Sequence, residues 1–178
     1  MNEPFVIRDA TAEELEPLGL LMVGVYSRLE GFPAQDEQPR YYEMLADVGR
    51  FLKRKDARVL VALAPDGELA GGVVYFGDMV EYGSGGIATT VKNASGIRLL
   101  GVDSRFRGRG AGKALTEACI RLAREKGHRA VILHTTETMK VAWNMYEKLG
   151  FRRWKDLDFM QEQLPVAGFR LELDAAGN

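Results

Sequence analysis

The feature that most restricts this chain is residues 97–115, where an apolar run, a glycine–arginine turn and the start of an amphipathic helix follow without a gap. Residues 97–102, Ile-Arg-Leu-Leu-Gly-Val, have the length and character of a buried strand. Leu115, Ala118, Cys119, Leu122 and Ala123 recur at three- and four-residue spacing and mark one face of a helix. Between the two, Arg105, Arg107 and Arg109 are interleaved with Gly108, Gly110 and Gly112. Glycines let backbone approach a ligand closely. The first amides of a helix have no partner within it, and the helix dipole makes that end partly positive. With arginines added, the physics points to a cradle for phosphate, more than one at a time. Residues 107–113 would bind it: the backbone from Gly108 through Gly110, Ala111 and Gly112 to Lys113, with Arg107 and Arg109 adding charge.

Two common phosphate motifs fail here. A Walker A loop needs Ser or Thr after Gly-Lys, whereas Ala114 follows Gly112-Lys113, and Arg107 stands in place of the first glycine. A dinucleotide fingerprint needs Gly-x-Gly-x-x-Gly and an acid about 20 residues on. Here the third glycine comes one residue early, and His128 and Arg129 stand near the position of the acid.

The segment Arg107-Gly108-Arg109-Gly110-Ala111-Gly112 does fit the pattern Arg/Gln-x-x-Gly-x-Gly/Ala between a strand and a helix. A second segment, residues 142–151, reads Ala-Trp-Asn-Met-Tyr-Glu-Lys-Leu-Gly-Phe. Together, in this order and at this separation, the two resemble the GNAT superfamily of acyl-CoA-dependent N-acetyltransferases. The resemblance implies acetyl-CoA as acyl donor and an amine as acceptor, with transfer direct rather than through a covalent enzyme intermediate. It implies that the strand edge at Leu100, Gly101 and Val102 pairs with the pantetheine arm. It also aims the Leu100 amide at the thioester carbonyl, where a fixed donor contributes about 3 kcal/mol. Tyr146 becomes the candidate general acid, its phenol having a reference pKa of about 10, close to that of a thiol. Without the resemblance, Tyr146 would be one member of an apolar stripe with Met139, Ala142 and Leu149. Met139 departs from the family pattern, which often has Asn seven residues before that Tyr to meet the cofactor. A catalytically silent CoA-binding sensor or structural module of the same fold is the rival reading.

The general base stays open among Glu81, Glu37, His134 and an ordered water. Two histidines and one cysteine do not make a zinc site, so no metal is expected. The lone Cys119 excludes an intrachain disulfide and fits a reducing, cytoplasmic setting. With 24 basic and 25 acidic residues there is no global field toward nucleic acid or membrane, and no apolar run approaches a membrane span. A homodimer is left open.

The remaining pattern predicts one α+β domain over 1–178, with a central mixed, mostly antiparallel sheet flanked by helices. Residues 5–8 read as a first strand, and Thr11 and Glu14 as a capping box opening a helix whose face carries Leu15, Leu18, Met22, Val25 and Leu29. A second helix is expected from Pro39 through Leu52. Strands over 58–64 and 69–76 flank a Pro65-Asp66-Gly67-Glu68 turn, before a long irregular connection over 77–94 with a flexible stretch at 82–86. Residues 130–133 read as a buried strand and 137–149 as a helix stopped by Gly150. A strand from Phe151, a turn at 163–165 and a last strand over 167–173 complete the order.

Overall fold

The computed structural model describes residues 4–174. The order is β1 (Val6–Asp9), α1 (Ala12–Ser27), α2 (Pro39–Ala46), β2 (Ala57–Leu63), β3 (Leu69–Phe76), β4 (Ala94–Val102), α3 (Ala111–Glu125), β5 (Ala130–Thr135), α4 (Lys140–Lys148), β6 (Arg152–Arg153), β7 (Phe159–Gln161) and β8 (Leu164–Glu172). One sheet runs β1-β2-β3-β4-β5-β8-β6, with β7 paired to β8. Every pairing is antiparallel except β4 with β5. The expected mixed, mostly antiparallel α+β architecture is therefore present.

Period-two alternation divides the core into two layers. Val59 and Val61 of β2 and Ala130 and Ile132 of β5 face Leu18, Met22 and Tyr26 of α1 and Tyr42 and Leu45 of α2. Leu60 and Ala62, with Val131 and Leu133, face Leu115, Cys119 and Ala123 of α3 and Tyr146 of α4. Cys119 is fully buried, and burial pushes its thiol up to about 12, which makes it an inert core residue.

The turn at 65–68 closes as its sequence requires: Gly67 takes φ 91° and its N–H donates to the Ala64 carbonyl at 2.8 Å. The capping box also forms, with the Thr11 N–H donating to Glu14 Oε1 at 2.8 Å. Arg8 grips the same carboxylate with two nitrogens and holds its pKa down at about 2.

Several expectations need correction. The apolar face of α1 ends at Tyr26, not Leu29, because the helix stops at Ser27 and its core row is Leu18, Met22 and Tyr26 at four-residue spacing. The second helix breaks at Asp47, and Val48–Lys53 continues as a 3-10 helix. Val48 and Phe51, three apart and both fully buried, suit the three-residue turn of that helix. Helix α4 begins at Lys140, three residues late, because Thr136 and Thr138 bond through their hydroxyls at 2.6 Å and the Met139 N–H closes a turn on the Thr136 carbonyl. Past Phe151 the strand is only Arg152–Arg153, and a 3-10 turn, Lys155–Leu157, precedes β7. The final turn is centred on Glu162 (φ 54°), so Leu164 and Pro165 belong to β8. At Pro165 only β7 pairs with β8, and a missing N–H on the unpaired side costs no ladder bond.

Candidate functional site

The site begins where β4 stops being an ordinary strand. From Ala94 to Ile97 it pairs in parallel with residues 130–133 of β5. Beyond Ile97 that pairing ends, whereas pairing with β3 continues as far as Val102 opposite Gly71. Residues 98–102 therefore turn one edge toward an opening between β4 and β5, and a free strand edge can take an extended ligand as an added strand.

A bulge lies at the point of separation. Gly72 pairs with Gly101 and Val74 with Arg98, so β4 spends one more residue than β3 across this interval. Leu99 takes φ 57°, a conformation a leucine adopts at a cost of about 1–3 kcal/mol. The extra residue re-phases the strand: before the bulge Ile97 faces the α3–α4 layer, and after it Leu100 and Val102 do. Arg98 and Leu99 both turn toward the α1–α2 layer, Leu99 into the core and Arg98 against Met44, Phe51 and Tyr82. Leu99 and Leu100 have no partner in the register with either neighbouring strand.

The Leu100 carbonyl accepts a hydrogen bond from the Tyr26 hydroxyl at 3.0 Å. In sequence, the one signal for Tyr26 is its place four residues after Met22 on an apolar row. Tyr26, Leu100, Arg98, His134, Met139 and Tyr146 all line one cavity between the splayed strands. Tyr146 is 4% exposed, and burial raises its pKa, so the phenol keeps its proton at neutral pH. Its ring packs edge-on against Phe151 at 5.7 Å. The Tyr146 hydroxyl has no hydrogen-bond partner among the described residues, where no polar side-chain atom sealed from solvent lacks one. The hydroxyl therefore opens to the cavity.

Of the open choices for a base, the structure brings only His134 to this cavity. Glu37 is exposed and accepts from the Ala34 N–H, while the Glu81 carbonyl accepts from Arg54. His134 Nε2 lies 2.8 Å from the Leu157 carbonyl, which can only accept, so Nε2 carries a proton. Burial lowers the His134 pKa, the ring is neutral, and Nδ1 accepts from the Tyr82 hydroxyl at 2.8 Å. Both ring nitrogens are thus engaged. Tyr82, read from sequence as part of a flexible loop, is fully buried, and Gly96 makes room for its ring.

The glycine–arginine turn follows β4 directly. Asp103 anchors its start, accepting from the Arg105 backbone at 2.9 Å and pairing with the Arg105 guanidinium at 3.3 Å. Arg105 is thereby tied back to Asp103 and Glu68, whereas Arg107 and Lys113 are exposed at the mouth of the turn. Arg109 lies over the Phe106 ring at 5.6 Å. Gly108 and Gly110 take φ 75° and 94°, values that disfavour a side chain. Gly112 has no such requirement, and an added Cβ would make only ordinary contacts, the nearest at 3.6 Å. The helix's first intrahelical bond runs from the Ala114 N–H to the Gly110 carbonyl at 2.9 Å, which leaves the Ala111, Gly112 and Lys113 amides without helical partners. The helix start adjoins the free strand edge, since a Cβ added at Gly112 would lie 3.6 Å from Val102 and 3.8 Å from Leu100.

The family model for the acetyltransferase (GNAT) family matches residues 24–151. The chain belongs to this family. Among its relatives, rat N-acetylaspartate synthetase is 30% identical over 138 residues, 78% of this chain and 42% of that protein. Mycothiol acetyltransferase of Arthrobacter sp. (strain FB24) is 36% identical over 104 residues, 58% of this chain and 30% of that one. The chain spans less than half the length of these relatives. The fold is shared with the PaiA N-acetyltransferase of Thermoplasma acidophilum, solved in complex with coenzyme A, at a TM-score of 0.72 and 16% identity, covering 96% of this chain and 99% of that one. A GNAT acetyltransferase of Staphylococcus aureus Mu50 matches at TM-score 0.72 and 17% identity, covering 96% and 100%. The Asn that the GNAT pattern often has seven residues before Tyr146 is absent from this chain. Met139 stands there, just before α4, lining the cavity and taking a contact from the Thr135 hydroxyl at 3.5 Å. Asn144 is exposed and does not replace it.

Proposed function

We propose that this domain transfers the acetyl group of acetyl-CoA directly to a primary amine. The carrying observation is the cavity between the splayed strands, lined by Leu100 on the free edge of β4 and by Tyr146, with the start of α3 adjoining that edge. In this reading Arg107, Gly108, Arg109, Gly110, Ala111, Gly112 and Lys113 hold the pyrophosphate, and Leu100, Gly101 and Val102 pair with the pantetheine arm. The amine nitrogen attacks the thioester carbonyl, a C–N bond forms, and the oxygen's growing charge meets the Leu100 amide. The C–S bond then breaks, the sulfur takes a proton from Tyr146, and the acceptor nitrogen gives up one proton, leaving an acetamide and a free thiol. The bulge supports the Leu100 role because it withdraws that residue from both neighbouring strands. His134, with both nitrogens engaged, positions Tyr82 and leaves deprotonation of the amine to water. The relatives are named for two different products, so the acceptor does not carry over from them.

Calorimetric titration with acetyl-CoA, with ATP and NAD as controls, tests this reading. Selective binding at micromolar affinity, followed by CoA release with an amine, is the expected result. Failure to bind acetyl-CoA overturns it.

A further inference from the structure

Among the described residues, Arg98 is a cation without an anion. It enters the cavity from β4, on the α1–α2 side, because the bulge turns it and Leu99 to the same face. Nη1 donates to the Tyr82 carbonyl at 2.9 Å, and Nη2 makes a weak contact to Met44 Sδ at 3.5 Å. The guanidinium lies 5.2 Å from the centre of the Phe51 ring, and Arg54 lies 4.9 Å from the same ring. The ionisable groups around Arg98 include Tyr82, Tyr41, Tyr26, Arg54 and His134, none of them a carboxylate. Among the described residues, Arg98 is in no ion pair, whereas Arg8, Arg58, Arg105 and Arg153, all more open to solvent, each have an acid.

Arg98 is half-buried, and a partly desolvated charge among dipoles and rings is poorly compensated unless something completes it. Nε has no partner among the described residues and is not sealed from solvent, and Arg98 lines the cavity, where Nε and the second hydrogens of Nη1 and Nη2 are available to a ligand. Tyr41 reaches the same cavity, and its hydroxyl likewise has no hydrogen-bond partner among the described residues. Tyr26, Phe32 and Tyr41 pack ring to ring with centroids 5.6 to 6.0 Å apart, forming a stiff apolar wall beside the guanidinium. Such a wall excludes water and strengthens any charge-assisted bond made there.

We infer that the acceptor amine carries a carboxylate, received by the Arg98 guanidinium and the Tyr41 hydroxyl on the α1–α2 side of the cleft. The planar fork of arginine matches the two oxygens of a carboxylate, and one unpaired positive charge calls for one negative charge. The inference rests on the acetyltransferase reading and deepens it by naming the acceptor's class.

The test compares amines that differ in one charge: the common α-amino acids and short ω-amino acids, each offered as free acid and as carboxamide. CoA release is measured at saturating acetyl-CoA, and acetyl-CoA binding is titrated in parallel. At least one acid should be acetylated with kcat/KM about tenfold or more above that of its amide. In Arg98→Met the difference should collapse through a raised KM for the acid, with kcat and acetyl-CoA affinity little changed. Arg98→Lys, which keeps the charge but loses the fork, should retain part of the preference, and Tyr41→Phe should reduce it; these variants serve if Arg98→Met does not fold. Amides equal to or better than acids would overturn the inference, as would acids that are not acetylated although acetyl-CoA binds. Absence of acetyl-CoA binding would instead strike the acetyltransferase reading on which the inference stands.

Discussion

The Tyr26 hydroxyl donates to the Leu100 carbonyl across 3.0 Å, linking α1 to a strained bulge in β4 from 74 residues away in sequence. Leu99, next to that carbonyl, holds a positive φ that an isolated leucine would leave. The bond holds the Leu100–Gly101 peptide plane, and through the Leu100 Cα it restrains the Leu100 amide on the other side. In Tyr26→Phe we expect a loss of about 1 kcal/mol in stability. Turnover should fall about tenfold, from misplacement of the Leu100 amide, with acetyl-CoA affinity changed less. Chemical denaturation and steady-state kinetics check both; unchanged turnover would detach the bulge from catalysis.

Tyr146→Phe isolates the proton. The ring keeps its packing against Phe151 while the hydroxyl that opens to the cavity is lost. Turnover should fall by about 10²-fold, with acetyl-CoA binding nearly unchanged. Equal turnover in the variant would return Tyr146 to the core.

Gly110→Asp attacks the cradle twice. Its φ of 94° disfavours any side chain, and the new carboxylate would stand at the helix start where phosphate is expected. Acetyl-CoA affinity should drop by about 100-fold or more in a calorimetric titration. Retained affinity would place the pyrophosphate elsewhere.

His134 gives a pH signature. Burial lowers its folded-state pKa from 6.5, so between that lowered value and 6.5 the unfolded chain binds more protons than the folded one. Its contribution to stability is therefore complete above pH 6.5 and is lost as pH falls toward the folded pKa, with a slope of at most about 1.4 kcal/mol per pH unit. His128, also lowered by burial, contributes in the same direction. His134→Gln, which can still donate to the Leu157 carbonyl, should shallow the decline without abolishing it. Thermal unfolding at steps between pH 5 and 8 reads this directly, and an unchanged slope would refute the assignment of a buried neutral ring.

Local chemistry made much of the fold legible. Glycine at positive φ, a threonine three residues before a glutamate and period-two apolar runs act over a few residues, so the 65–68 turn, the α1 start and the β2, β3 and β5 strands could be read directly. Residues 107–113 were legible for the same reason, since unpartnered amides and alternating glycines belong to one continuous segment. Helix ends were less so. The Asp47 break depends on how Val48 and Phe51 meet the core, and the late start of α4 on hydroxyl bonds between Thr136 and Thr138.

By itself, then, the sequence determined the layered α+β order, the glycine–arginine turn that opens α3 and the turn after Tyr146, because each is written in neighbouring residues. Tertiary structure alone decided the bulge at Leu99, the Tyr26 bond to Leu100, the burial of Tyr82 against His134 and the Arg98 charge left facing a cavity. Register is the reason: one extra residue in β4 reverses which side chains face which layer, and only pairing with β3 and packing against α1 can set where that residue falls.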